Sequence, residues 1–258
     1  MAKVPIYSDR FYEGQVDGSR DSADYMVPFL YDLLKPASML DIGCGAGGWV
    51  RAFERAGCAV AHGLDGPWVT DESRLIRAEQ FVSFDFATAT PPFTPALPQP
   101  RYDLVTSFEF AEHIFDEMAD PLVDLLTSLS DTIVLGAAIP LQGGTHHVNE
   151  QWPAYWAAKF AARGFVACDF IRPALWDEPH IQPWYRQNSV AYFRGSAPEH
   201  IAAAAARSWQ AWASQPRAIA DPDMWMMRSN EALANFENLL RIGNRVGRNF
   251  VRKLIGRK

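Results

Sequence analysis

Two short stretches gather side chains of the types that do chemistry. Ser107-Phe-Glu-Phe-Ala-Glu-His-Ile114 places Glu109, Glu112 and His113 directly after residues 102–107, an apolar run that reads as a strand. Glutamates three apart lie on one face of a helical turn, and the adjacent histidine can reach the same point. Two carboxylates and an imidazole suit a hard divalent cation, with one more ligand wanted. Gly143-Gly-Thr-His-His-Val-Asn-Glu-Gln-Trp152 offers His146, His147 and Glu150. Without a cation, the same histidines are proton acceptors or structural hydrogen-bond partners.

A third stretch, Ser38-Met-Leu-Asp-Ile-Gly-Cys-Gly-Ala-Gly-Gly-Trp-Val50, is built to meet a ligand. Residues 39–42 read as a buried strand, and Gly43-x-Gly45-x-x-Gly48 opens a helix running to Gly57. Glycines let the backbone turn sharply and approach a ligand, while the helix start offers free N–H groups. Nicotinamide, flavin and adenosyl cofactors all use such a turn. Asp41 discriminates among them, because a carboxylate at the strand's end suits a cationic amine and repels a pyrophosphate. A second acid, Asp65, lies 22 residues after Gly43, the spacing at which a carboxylate accepts from a ribose diol.

The elements that must position these groups alternate. Residues 22–34 read as a helix capped by Asp21 or Ser22. Strands are expected at 59–64, 81–84, 102–107 and 132–138, with helices at 117–129 and 151–163. Two further strands, 165–171 and 189–194, lie close together. This order implies a parallel sheet finished by an antiparallel hairpin. The polar residues 1–20 carry Tyr7, Phe11 and Tyr12 as a lid over the site. Proline-rich residues 90–101 form a surface connection.

The composition bounds the rest. A chain of 258 residues that is 48% hydrophobic holds one full α/β core and an appendage, not two enzyme domains. Three cysteines (Cys44, Cys58, Cys168) without metal-ligand spacing point to a reducing compartment. An apolar leader and a membrane-length apolar run are both lacking, so a cytoplasmic protein is expected. Residues 241–258 carry seven basic side chains and no acid; taking those seven from the net charge of −6 leaves −13 on residues 1–240. So acidic a body argues against nucleic-acid binding. In the tail, Leu239, Ile242, Val246, Phe250 and Leu254 alternate with arginines, so residues 239–258 form an amphipathic helix for a membrane surface or a protein partner, or else a solvated tail. A catalytic α/β domain at 1–195 is followed by a helical extension at 196–258, including an alanine-rich helix over 199–213.

With Leu40-Asp41-Ile42-Gly43-Cys44-Gly45-Ala46-Gly47 the chain resembles the first motif of class I S-adenosylmethionine-dependent methyltransferases. The resemblance implies a Rossmann-like, seven-stranded, mostly parallel sheet with a C-terminal antiparallel hairpin, plus the helical extension. It also implies roles for named residues. Asp41, Gly43 and Gly45 would hold the methionine end of S-adenosyl-L-methionine and Asp65 the ribose. Asp85 would accept from the adenine amino group, with Phe84 or Phe86 on one adenine face and Phe108 on the other adenosine side.

Glu-x-x-Glu-His followed by a later histidine resembles two methyltransferase groups, the ubiquinone-pathway O-methyltransferases and those that methylate the terminal 2′-hydroxyl of small RNAs. That likeness implies Glu109, Glu112, His113 and His147 as ligands of a divalent ion (Mg or Mn), with His146 as the less favoured fourth. His113 or His147 would stand near the proton being lost. The wider pattern of Trp152, Tyr155, Trp156, Ile171-Arg-Pro-Ala-Leu-Trp176 and Trp184-Tyr-Arg-Gln-Asn188 resembles bacterial methyltransferases encoded among glycosyltransferases. It implies a carbohydrate or glycosylated acceptor, with the aromatics as stacking walls or else core and lid residues. Arg172 and Arg186 would bind a phosphate or carboxylate where they do not make ordinary salt bridges, which is the default for both. A metal-free methyltransferase for a phenol, carboxylate or amine, and a non-catalytic adenosyl-binding scaffold, are the alternatives.

Overall fold

A computed structural model describes residues 9–213, and side chains over 18–211. Tyr7, the side chains of Phe11 and Tyr12, the rest of the helical extension after residue 213 and the basic tail 239–258 lie outside the described residues. Seven strands form one sheet in the order β3-β2-β1-β4-β5-β7-β6. They are β1 (Ser38–Ile42), β2 (Val60–Asp65), β3 (Phe81–Ser83), β4 (Leu104–Phe108), β5 (Thr132–Gly136), β6 (Phe165–Cys168) and β7 (Ser189–Arg194). The first five run parallel, and β7 pairs antiparallel with both β5 and β6. The mostly parallel sheet with an antiparallel end is the expected architecture.

The strand order turns back on itself at β1 and β4, which are neighbours in space but far apart in sequence. Connections leaving their carboxyl ends diverge and open a crevice there, the place where open α/β sheets bind ligands. The glycine loop follows β1, and Glu109, Glu112 and His113 follow β4, so both chemical stretches meet at that crevice.

Helices cover both faces. On one side lie α1 (Asp9–Leu34), α2 (Gly48–Ala56), α5 (Ile171–Leu175), α6 (Pro183–Asn188) and α7 (Glu199–Ala213); Met26, Leu30, Phe53, Phe170 and Ile201 form the core there. On the other, α3 (Asp116–Leu129) and α4 (Pro153–Ala161) bury Leu122, Leu126, Trp156 and Phe160. Phe160 stacks on Tyr192 of β7, with ring centroids 4.0 Å apart. Lys159 and Arg163 bind Asp120, and Arg163 also binds Asp124, so an ionic ladder fixes the α4 end of the chain to α3. Helix α7 joins the same compact unit: Ile201 is buried in the core, and the Trp209 indole donates to the Asp169 carbonyl. Among the described residues, no helix is long and apolar enough to cross a membrane.

Two expected elements need correction. The first helix starts at Asp9, and Ser22 is not its cap but a buried interior residue. Its hydroxyl donates to the Gly18 carbonyl at 2.7 Å and accepts from the Gln182 amide at 3.0 Å. A serine bonded to the preceding turn and to a distant amide has no need to end a helix. The strand expected over 165–171 stops at Cys168, because Asp169 pairs with Arg172 three residues on and the chain turns into α5. Helix α6 was not expected at all, although Pro183 at its first turn is a start signal.

Phe160 has no exposed surface. Phe160→Ala is expected to cost about 3–5 kcal/mol through lost burial and the cavity left behind. Urea unfolding followed by circular dichroism checks this; a loss below about 1 kcal/mol would show that α4 does not hold the sheet.

Candidate active site

The glycine loop hangs from β2, since the Gly43 and Cys44 amides both donate to the Leu64 carbonyl, at 2.8 and 3.2 Å. Gly43 (φ 77°) and Gly47 (φ 89°) are left-handed, and a Cβ at either would strike Phe110 or Ile76. Residues 70–77 strap the loop from outside: the Leu75 amide donates to the Ala46 carbonyl, and the Arg74 guanidinium covers the Phe81 ring. Gly45 differs. A Cβ there would meet nothing within 4 Å, so this glycine keeps an open side.

The acids assigned to the cofactor fall into two kinds. Asp41 is 1% exposed and accepts from the Thr106 hydroxyl at 2.7 Å, across the β1–β4 junction. Burial pushes its carboxyl up to about 7 despite that bond. Asp65 is also buried, with its oxygens on the Gly45 and Gly66 amides at 2.7 and 2.6 Å. Burial raises its pKa, and these amides with the Trp68 indole hold it back. Asp85, by contrast, binds the Ala87 amide and the Thr88 hydroxyl of its own turn. Phe86 packs among Phe84, Phe93 and Phe110, while Phe108 stacks on Trp49 at 4.1 Å in the core. Sequence reasoning missed Trp68, partly exposed over Gly66 and three residues after Asp65.

Glu112 and His113 occupy a 3₁₀ turn, Ala111–His113, and Glu112 has no exposed surface. Neither of its carboxyl oxygens has a hydrogen-bond partner. The Ala138 backbone and the Glu109 carboxyl lie beside it without reaching hydrogen-bonding geometry. Burial, and then the Glu109 charge, push its pKa well above the usual carboxylate range. The His147 Nε2 approaches to 3.9 Å. His147 Nδ1 is 3.0 Å from the Glu150 carboxylate, and His113 Nδ1 is 3.2 Å from the His146 carbonyl. A carboxylate and a carbonyl accept, so each Nδ1 carries the proton and each Nε2 keeps its lone pair. Burial, with His147 nearby, lowers the His113 pKa to about 4. Glu112, His113 and His147 bring one ligand atom each to within 4.8 Å of one another. A buried carboxylate without donors and two oriented imidazoles fit a divalent cation.

The loop after β5 is built to hold this geometry. Val148 and Asn149 donate their amides to the Glu112 carbonyl, at 2.9 and 3.0 Å. Besides His147, Glu150 takes the amides of Leu141 and Gly143. Of the expected quartet, Glu109 lies beside Glu112 but differs from it in having donors. Its oxygens accept from Gln142 and Asn188, and burial raises its carboxyl to about 7. His146 contributes its carbonyl. Of the expected aromatic walls, Trp156, Trp176 and Tyr185 are core residues, whereas Trp152 is exposed. Arg172 is held by Asp169, and the buried Arg186 donates to the Glu178 carbonyl, so both arginines act as structural ties.

The profile of a family described as a methyltransferase domain matches residues 18–214. The chain belongs to that methyltransferase family. Its Rossmann-like sheet is the family's fold, and solved structures share it. Mitomycin 7-O-methyltransferase is 15% identical with a TM-score of 0.50, over 72% of this chain and 56% of that one. A putative O-methyltransferase from Nostoc punctiforme PCC 73102 is 14% identical with a TM-score of 0.52, over 72% and 59%. Magnesium protoporphyrin IX methyltransferase from Synechocystis PCC 6803, solved with bound S-adenosylmethionine, is 18% identical with a TM-score of 0.47, over 74% and 88%. The methyltransferase chain thus matches somewhat over half the length of the first two. No curated protein sequence matches it.

Asp41 in this methyltransferase gives a test of the site's electrostatics. Its folded pKa, about 7, lies above the ordinary value of 3.8, so the folded state binds the proton more tightly. Stability is then greatest below about 4 and falls as pH rises toward 7, by about 1.4 kcal/mol per pH unit for each such group. Glu109, also raised to about 7, titrates in the same window. Asp65 and Glu112, also raised by burial, add to the slope, so Asp41→Asn should remove its own share, about 1.4 kcal/mol per pH unit, in denaturant titrations between pH 5 and 7. An unchanged slope would show that Asp41 is ionised and compensated at neutral pH.

Proposed function

We propose that this methyltransferase transfers the methyl group of S-adenosyl-L-methionine to a hydroxyl of a carbohydrate or glycosylated small molecule, assisted by a divalent cation (Mg or Mn). The observation that carries the proposal is the donor-free, buried Glu112 carboxyl with His147 Nε2 3.9 Å away and His113 offering a ligand atom within 4.8 Å of both. A cation held there by Glu112, His113 and His147 supplies a Lewis acid that makes a weakly acidic hydroxyl easier to ionise.

The remaining work falls to the chain. The glycine loop with Asp41 orients the methionine end of the donor, Gly45 gives its backbone an open approach, and Asp65 is the acceptor for the ribose hydroxyls. The donor then sits at the end of β1 and the acceptor at the end of β4. Methyl transfer forms an O–CH₃ bond as the S–CH₃ bond breaks, with its electron pair going to sulfur and the hydroxyl proton to a base. Such a displacement depends mainly on positioning. A metal-free reaction is the second reading, favoured by His113 being neutral at pH 7, with a pKa of about 4, and therefore able to receive that proton. The −13 charge of residues 1–240 supports a small-molecule acceptor over RNA.

Glu112→Ala should abolish turnover while leaving S-adenosylhomocysteine affinity within a few fold. Calorimetric titration with Mn²⁺ should show binding to the parent protein and its loss in the variant. Activity indifferent to chelation and to Mn²⁺ would remove the cation from the proposal, and absence of heat with S-adenosylmethionine would remove the donor.

A further inference from the structure

The rim of the Glu112–His113–His147 site is apolar and exposed. Among the described residues, Phe115, Leu141, Val148 and Trp152 are four of the eight exposed large hydrophobic side chains. All four are tied to the site. Phe115 follows His113 by two residues, and Val148 adjoins His147 with its amide on the Glu112 carbonyl. Leu141 donates its amide to Glu150, the residue that orients His147. Trp152 precedes α4, whose Tyr155 hydroxyl donates to Asp116 beside Phe115.

Leu141 is the most telling of these. It is 85% exposed, and its φ of 71° is left-handed, a region that a leucine rarely adopts. Glu150 fixes the amides on and near it, so the chain holds an apolar side chain outward in a strained conformation. Strain maintained by its surroundings, at a residue with nothing to bury it, marks a contact surface.

The charge around this rim selects what it contacts. Residues 109–124 hold six acids, residues 137–152 hold Glu150, and neither segment contains a lysine or arginine. The next cations along the chain, Lys159 of α4 and Arg163 just after it, are bound by Asp120 and Asp124. A nucleotide sugar or an anionic membrane would find acids in these two segments and no lysine or arginine. We infer that the acceptor is an uncharged amphiphile, a glycoside with an aryl or alkyl aglycone, whose apolar body lies on Phe115, Leu141, Val148 and Trp152 while its sugar hydroxyl reaches the histidines. This inference rests on the proposed function and narrows its substrate.

Binding of hexyl, 4-nitrophenyl and methyl glycosides of glucose, galactose and rhamnose, together with UDP-glucose, tests it by calorimetry on the full chain with S-adenosylhomocysteine and Mn²⁺. Hexyl or nitrophenyl glycosides should bind at least ten-fold more tightly than the methyl glycoside of the same sugar. The Leu141→Ser, Trp152→Ala double variant should erase that ratio and leave S-adenosylhomocysteine affinity unchanged, which certifies its fold. Equal affinities across aglycones, tighter binding of UDP-glucose, or no binding of any glycoside up to its solubility limit would overturn the inference. The first two outcomes leave the proposed function standing, the third removes its carbohydrate acceptor as well, and methyl transfer itself fails separately if the donor gives no heat.

Discussion

Removing a carboxyl group from water without giving it a donor is costly, and the protein does so at Glu112. The surrounding structure makes that possible. Val148 and Asn149 clamp the Glu112 backbone from the loop after β5, and Glu150 draws the rest of that loop inward. Because β4 and β5 are adjacent parallel strands, their two following loops are delivered to the same edge, and the clamp closes without a long reach. Take the clamp away and the two histidines lose their common point of aim.

The donor side follows a different logic. There the acids are satisfied: Asp65 by loop amides and Asp41 by Thr106. These bonds set the shape of the glycine turn in the free protein, and the open flank at Gly45 is left for the ligand. One half of the crevice is therefore preformed by satisfied hydrogen bonds, and the other holds an unsatisfied carboxyl group. Methyl transfer needs both halves at a fixed separation, which the β1–β4 hydrogen bonds impose.

What the chain reveals on inspection is local. The glycine run, Asp41 and Asp65, and the pair Glu112–His113 announce themselves because their chemistry depends on neighbours within a few residues. The alternation of strands and helices was legible for the same reason, down to the left-handed cap at Gly57. Contacts between distant segments were not. Glu109 fits the ligand spacing as well as Glu112 does, and only the fold brings Gln142 and Asn188 to it, 33 and 79 residues away. Asp85 sits in the right order for a cofactor acid, yet its side chain closes its own turn, a competition that spacing does not display. Arg172 and Arg186 take the structural role that is the default for an arginine, on Asp169 and on the Glu178 carbonyl, but spacing does not name those partners. The short helices α5 and α6 escaped notice because five or six residues carry too little periodicity to reveal a helix.

The strap over the glycine loop has an evolutionary consequence. Ile76 lies where a side chain at Gly47 would go, and Leu75 is bonded to Ala46, so the turn after β1 and the crossover after β2 share one shape. A designer who grafted the motif alone into another scaffold would transplant a lock without its hasp. The two segments must diverge together, and paired changes at these positions are the signature that such co-inheritance would leave among descendants of this chain.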